Sequence, residues 1–362
     1  MNGDTRTANR RPAVLGAMLL LLAACAAPAA TSTPTTAPTT APTTVATAAP
    51  TPTPNPLAGK TIGFAQLLRA GCDFCAEVEK NINKVFTDAG ATVFTLDNEF
   101  NVDKTLANVD VMVSKKIDVL LCFCPPGGSV EGSLAKVRAA GIPYIGIDGI
   151  PQDNGTDWTY FGANGDDSGQ KSGQWVVNYA NANWGGKIDA IIMTWAPEWE
   201  PTTMGRVTGF VTVLNAYDPK FTLDSITKVD AKLEYEKVLL AFQAFLNAHP
   251  GEHGLVMYGP TSDVHGLAAA AAARALGREA DVVALSHGAD AQVRAELSNC
   301  ESPLKASLAY FPDRYGEFLL PIVTAVLTGA PHQQLNFTDH QVVDCKNLKQ
   351  FYPNDVYPSP TP

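Results

Sequence analysis

The sequence predicts an α/β fold built as two doubly wound parallel-sheet lobes, and three observations predict it. From Gly59 onward short apolar runs alternate with amphipathic, helix-like stretches. The connections between them are short. The alternation then restarts at Trp158 and runs to about Leu327. Repeated β-α units with short links build parallel sheets covered by helices on both faces. A chain of 362 residues with 46% hydrophobic content is large enough for two such cores.

The first elements lie outside that fold. Residues 1–24 carry an arginine-containing polar start and an apolar core from about Ala13 to Leu22. The core is too short to span a bilayer and has the form of a signal peptide. It ends in Leu22-Ala23-Ala24-Cys25, which resembles a bacterial lipoprotein signal, with Cys25 as the lipidated residue. From Ala26 to Pro56 almost every residue is Thr, Pro, Ala or Ser and none is charged. Such a segment cannot repay the entropy of ordering, so residues 25–56 read as an anchor followed by a disordered, extended spacer.

The globular elements follow in order. Thr61 to Ala65 is strand-like, a helix runs from Asp73 to Ala89 and stops at Gly90, and Ala91 to Leu96 is a second strand. A helix over Val102 to Lys115 precedes the apolar strand Asp118 to Phe123, which Cys124-Pro125-Pro126-Gly127-Gly128 breaks. Ser129 opens a third helix, Gly141 closes it, and Gly-Ile-Pro-Tyr-Ile-Gly-Ile-Asp-Gly-Ile over 141–150 reads as a buried strand. The second series pairs strand 158–162 with helix 168–182, strand 187–193 with helix 202–216, and strand 221–227 with helix 233–248. It continues with 254–258 and 262–276, 282–285 and 291–297, and 305–310 and 315–327.

Charge and cysteine content bound the function. The net charge is −10, and Asp4, Arg6, Arg10 and Arg11 before Leu57 sum to +2, which leaves −12 on the remainder. An acidic body without a basic stripe excludes nucleic acid as the expected partner. Six cysteines remain besides Cys25, an even number of the kind that an exported chain uses for disulfides. Cys72-Asp73-Phe74-Cys75 lies between a strand and a helix, where a redox pair would also lie, and Cys122 and Cys124 share one face of a strand end. Structural disulfides, a thiol-disulfide pair and a four-thiolate zinc site all fit that set, and the pairing stays open.

Several local signatures occur together: Lys60-Thr61-Ile62-Gly63-Phe64, Lys116-Ile117-Asp118-Val119-Leu120, Ala140-Gly141-Ile142-Pro143…Asp148, Gly205-Arg206-Val207-Thr208-Gly209-Phe210, and Ser307 to Gly316. With these, the chain resembles the type I periplasmic-binding-protein family, the ribose- and galactose-type receptors of import systems. The resemblance implies two lobes joined by a hinge of three crossings, near Gly162, Phe311 and 330–334. It divides the chain into 57–163 plus 311–333, 164–310 plus 334–347, and a tail at 348–362. It implies a non-enzymatic, monomeric receptor without cofactor or metal, which the signal ending at Cys25 would export and hold to the outer face of the membrane by its lipid. That receptor would hand a sugar or polyol to an ABC permease. It places the first and third strands side by side, so Cys72, Cys75, Cys122 and Cys124 share a rim. It also predicts a Cys300–Cys345 bond.

The site residues follow from position. Asp148 ends a parallel strand, where α/β sheets bind ligands, and a carboxylate accepts from paired hydroxyls. By the resemblance Arg206 supplies donors from a first helical turn, His287 stands where the family has an aspartate, and Tyr310 precedes the second crossing. Trp195 and Trp199 offer faces for stacking, and Gln66 and Phe74 lie beyond the first strand. Two rival readings remain open: the same receptor fold binding a nucleoside or autoinducer or feeding a sensor, and a thiol-disulfide oxidoreductase using Cys72 and Cys75.

Overall fold

The structure is a computed structural model that describes residues 55–199 and 202–357. The expected signal segment, Cys25 and nearly all of the spacer lie outside the described residues. Among those described, no helix is long and apolar enough to cross a membrane.

Ten elements form the first series. They are β1 (Thr61–Gln66), α1 (Asp73–Asp88), β2 (Thr92–Asp97), α2 (Val102–Ser114), β3 (Val119–Cys122), α3 (Ser129–Ala139), β4 (Tyr144–Ile147) and β5 (Trp158–Gly162), joined later by α9 (Tyr315–Thr328) and β11 (Leu335–Phe337). Their strands make a wholly parallel sheet in the order β11-β5-β4-β3-β1-β2. β3 and β4 are buried at every residue, which is why they read as unbroken apolar runs.

The second series begins with α4 (Gly165–Asn183), β6 (Ala190–Trp195), α5 (Thr202–Tyr217), β7 (Thr227–Asp230), α6 (Tyr235–Ala248) and β8 (Leu255–Gly259). It ends with α7 (Asp263–Ala275), β9 (Val282–Gly288), α8 (Ala291–Leu297), β10 (Leu304–Ala309), β12 (Gln341–Asp344) and α10 (Leu348–Phe351). This sheet runs β12-β10-β9-β8-β6-β7, and only the β10–β12 pair in it is antiparallel.

Three passages join the lobes, after Gly162, after Ala309 and after Phe337. They touch one another: the Asn164 amide donates to His340 Nε2 at 2.9 Å, and the His340 and Tyr310 rings meet edge to face. The last passage comes later than 330–334, because β11 adds itself to the first sheet beside β5 before the chain leaves. Residues 348–357, expected to be a tail, pack on the second lobe: Tyr352 stacks on Phe311 and Asp355 pairs with Arg294 at 2.6 Å. The strand expected at 221–227 is also displaced. Phe221 and Ile226 are buried plugs in turns, and the strand is the edge segment Thr227–Asp230, where only Val229 is buried.

The closest helix contact in the second lobe is between α4 and α5. Gly165, Gly169 and Gly173 recur every fourth residue along α4 and so share one face, opposite Gly205 and Gly209 of α5. A Cβ at Gly169 would lie 2.8 Å from the Phe210 nitrogen and closer still to the Arg206 carbonyl oxygen. Both obstacles are backbone, so the helices would have to separate. Gly169→Ala should therefore destabilise the protein by about 1–3 kcal/mol. In an open helix the same change stabilises by up to ~1 kcal/mol. Urea unfolding reads the sign directly, and an unchanged or raised midpoint would contradict the close approach.

Candidate functional site

A cavity of about 540 Å3 lies between the lobes, at the carboxyl ends of strands of both sheets and at the first turns of α1, α3, α5 and α7. That volume falls in the range of small-molecule sites.

Asp148 follows directly on β4 and holds a left-handed backbone, φ 54°, a conformation that aspartate tolerates better than most residues. The turn aims its carboxylate at the first passage. Oδ1 accepts from the Ala163 amide at 3.0 Å and Oδ2 from the Tyr315 hydroxyl at 3.1 Å. A Cβ at Gly162 would strike Oδ1, so glycine is required there. A carboxylate has about four acceptor positions, and two remain for a ligand. Burial raises the Asp148 pKa above the ordinary carboxylate value, against the opposing pull of Arg206 and the two donors.

Arg206 reaches the cavity from the second turn of α5, seated by the glycine contact with α4. Its guanidinium lies over the Tyr310 ring at 4.8 Å, and Nη1 donates to the Pro260 carbonyl at 3.1 Å. Nε is buried without a protein partner. Burial opposes its charge, but Tyr310 and Asp148 leave its pKa raised, so it stays a cation with donors to spare.

His287 lines the cavity but is 3% exposed, and its ring nitrogens already have partners. Nδ1 meets the Tyr310 hydroxyl at 2.6 Å, and Nε2 meets Tyr258 at 2.7 Å and Ser172 at 3.1 Å. Burial, then Arg206 and His340, push its pKa well below the usual value. His287 is therefore a neutral brace that orients Tyr310. Asp263, at the start of α7, is similarly occupied. It accepts from Ser286 at 2.6 Å, Ser307 at 2.8 Å and the Asp290 amide at 2.7 Å.

Asp148, Arg206, His287, Tyr310, Trp199 and Phe74 all line the cavity. Gln66 and Trp195 do not, and this corrects their expected position. Gln66 is fully buried and folds back on α1: its amide donates to the Cys75 carbonyl at 2.7 Å, and its oxygen accepts from the Leu67 amide. Trp195 ends β6 on the face opposite Thr194 and packs into the second-lobe core. Sequence reasoning missed Phe100, Phe123, Thr202, Thr203 and Thr261, which also face the cavity. Thr202 and Thr203 carried a signal, being one helical turn before Arg206.

The cysteines pair as Cys72–Cys75, Cys122–Cys124 and Cys300–Cys345. The first two bonds are local to one corner each and do not cross the rim between them. Among the described residues, no group of three or more His, Cys, Asp or Glu side chains could hold a metal.

The lobes touch around the cavity. Phe100 of the first meets Trp199 of the second with ring centroids 5.5 Å apart. Glu77 on α1 accepts from the Ala291 amide at 2.7 Å and pairs with Arg294 at 3.1 Å.

Solved structures of the same fold are numerous. An ABC transporter solute binding protein from Mycobacterium smegmatis with bound glycerol is 19% identical over 83% of this chain and 99% of its own, with a TM-score of 0.69. A second Mycobacterium smegmatis protein, in complex with β-D-fucofuranose, is 22% identical over 82% and 95%, TM-score 0.68. An ABC transporter solute binding protein from Agrobacterium vitis with bound allitol is 17% identical over 82% and 99%, TM-score 0.69. No curated protein sequence matches the chain. The periplasmic binding protein domain matches residues 67–331. The chain therefore belongs to the periplasmic binding protein family, a family of binding proteins rather than enzymes.

Proposed function

We propose that this protein is a lipid-anchored solute receptor that traps a polyhydroxylated small molecule between its lobes and delivers it to an ABC permease. The observation that carries the reading is the Asp148–Arg206 pair on the cavity wall, a partly buried acceptor with two free positions beside a buried cation with unused donors. Hydroxyl pairs both donate and accept, so a sugar or polyol satisfies the two together. The solved neighbours with glycerol, fucofuranose and allitol support the same class. The anchor rests on Leu22-Ala23-Ala24-Cys25 and the spacer behind it. Mass spectrometry of the mature N-terminal peptide should find a diacylglyceryl thioether on Cys25, and an unmodified Cys25 would remove the anchor.

The test is a thermal shift of the full-length chain against sugars, polyols, nucleosides and amino acids. A ligand at a hundred times its Kd stabilises by about 2.7 kcal/mol. For roughly 300 ordered residues that is a rise of about 4 °C. A shift with a nucleoside or amino acid and with no sugar or polyol would overturn the reading.

Capture by hinge closure gives the Glu77–Arg294 pair a role, because it joins α1 of one lobe to α8 of the other. Parting the lobes breaks it, so it favours the closed form. Glu77→Gln should weaken ligand binding about tenfold, the worth of one charge-assisted hydrogen bond. Calorimetric titration checks this, and an unchanged Kd would leave the pair no part in closure.

A further inference from the structure

Arg294, the second-lobe half of the interlobe ion pair, is buried and meets Glu77 through Nη1 at 3.1 Å. Three further partners come from its own lobe. Nε donates to Asp355 at 2.6 Å, Nη1 also donates to the Ala289 carbonyl at 2.7 Å, and the guanidinium lies over the Tyr352 ring at 4.4 Å. Nη1 carries two hydrogens, so the one not given to Ala289 is left for Glu77. Ala289 keeps left-handed backbone at this point, φ 55°. A non-glycine residue persists there only when the surrounding structure demands it.

Two of those partners, Asp355 and Tyr352, belong to residues 348–357, beyond the stretch 67–331 that matches the family domain. The segment adds no strand to either sheet, yet it is firmly placed. Leu348 and Tyr352 are buried in the second-lobe core, Tyr352 stacks on Phe311 of the second passage, and the Phe351 carbonyl accepts from Arg314 Nη2 at 2.6 Å. The Tyr357 hydroxyl donates to Asp355 at 2.8 Å and so fixes the carboxylate in turn. An arginine loses much rotamer freedom when it is held in one place. Because Asp355, Ala289 and Tyr352 stay with the second lobe when the lobes part, that loss is met in the open form. Closure then finds the guanidinium already oriented, and a preorganised group binds more tightly than a mobile one.

We propose that the C-terminal segment sets the interlobe latch: Asp355 and Tyr352 are positioning residues that hold the Arg294 guanidinium where Glu77 meets it as the lobes close. This rests on the closure reading of the Glu77–Arg294 pair and deepens it. Glu77 and Asp355 take different nitrogens, so they do not compete for a donor. As like charges they repel, which opposes the positioning effect, and two substitutions separate the terms. Asp355→Asn removes the charge and keeps an oxygen for Nε, whereas Asp355→Ala removes both.

The experiment is calorimetric titration of the full-length chain and its variants with glycerol, allitol, D-galactose and L-arabinose, with melting curves to check that each variant is folded. For a compound that binds, Asp355→Asn should bind roughly threefold to tenfold tighter than Asp355→Ala, the effect of immobilising one long side chain in advance. In a Glu77→Ala background the same two variants should bind alike, within about twofold, because the oriented cation has no partner across the cleft. A purely structural role for the tail would keep the difference in both backgrounds. That result, or equal binding by the two variants with Glu77 present, overturns the inference and leaves the latch in place. If Glu77→Ala alone leaves the Kd unchanged, the latch and the inference both fail. If none of the four compounds binds, the polyol reading falls and the inference with it.

Discussion

Asp148→Asn should weaken binding of the polyol by roughly two orders of magnitude while leaving the free protein folded. The size follows from two hydroxyl hydrogen bonds to a carboxylate, each worth about 1.5–3 kcal/mol, of which an amide keeps only part. The free protein is spared because burial raises the Asp148 pKa, so a neutral side chain relieves a desolvation cost. Asparagine also keeps the tolerance for φ 54° that alanine lacks. Some loss is expected at the first passage, since one amide oxygen cannot fully replace the two that serve Ala163 and Tyr315.

The same residue sets the sign of the pH dependence. Ligand hydroxyls donate to the ionised carboxylate, so binding is complete above its pKa and is lost as pH falls through it. Because the pKa is raised, that loss should begin at a higher pH than for an exposed aspartate. Asp148→Asn should lack this acid limb. Isothermal titration across pH with the ligand that shifts the wild-type melting curve measures both effects. A Kd within threefold of wild type would remove Asp148 from the site.

The alternation of elements was legible because most strands of both sheets are buried along their length, and burial writes itself as a continuous apolar run. Edge strands escape that rule. Thr227-Lys228-Val229-Asp230 exposes all but one residue, and Leu335-Asn336-Phe337 is half open to solvent. Asp148 was legible for a related reason: a polar residue directly after a buried strand lies at the carboxyl edge of the sheet, where the cleft opens. Sequence position alone does not say where a side chain turns next. Gln66 and Trp195 stand at strand ends as Asp148 does, yet one bends back to the Cys75 carbonyl and the other lies on the core face. His287 shows a third limit. Its place beside the cavity could be read, but its engagement by Tyr258 and Tyr310 depends on residues 29 and 23 positions away. Phe100 carried no signal, because its exposure to the cleft comes from a strained turn that no propensity favours.

Loss of the Cys300–Cys345 bond should lower the melting temperature by about 3–6 °C, more than loss of either of the other two disulfides. The bond spans 45 residues, whereas the others span 3 and 2. Closing a loop of that length removes up to ~4 kcal/mol of unfolded-state entropy, and measured disulfides fall at about 2–4 kcal/mol. For roughly 300 ordered residues this range gives the stated shift. What the loop encloses matters as much as its length. Between Cys300 and Cys345 the chain completes β10 in the second sheet, crosses to the first lobe for α9 and β11, and returns as β12 beside β10. Two of the three passages between lobes therefore lie inside one covalent ring. Breaking the ring frees β12, an exposed edge strand, to fray from β10, and with it the return passage that carries His340 against Tyr310. Cys300→Ser/Cys345→Ser should thus lose stability and also bind ligand more weakly, since Tyr310 stands on the cavity wall. Calorimetric melting and titration of this double variant separate the two effects. A melting temperature equal to wild type would show that the ring contributes nothing to the fold, and weakened binding without a lower melting temperature would assign it to the hinge alone.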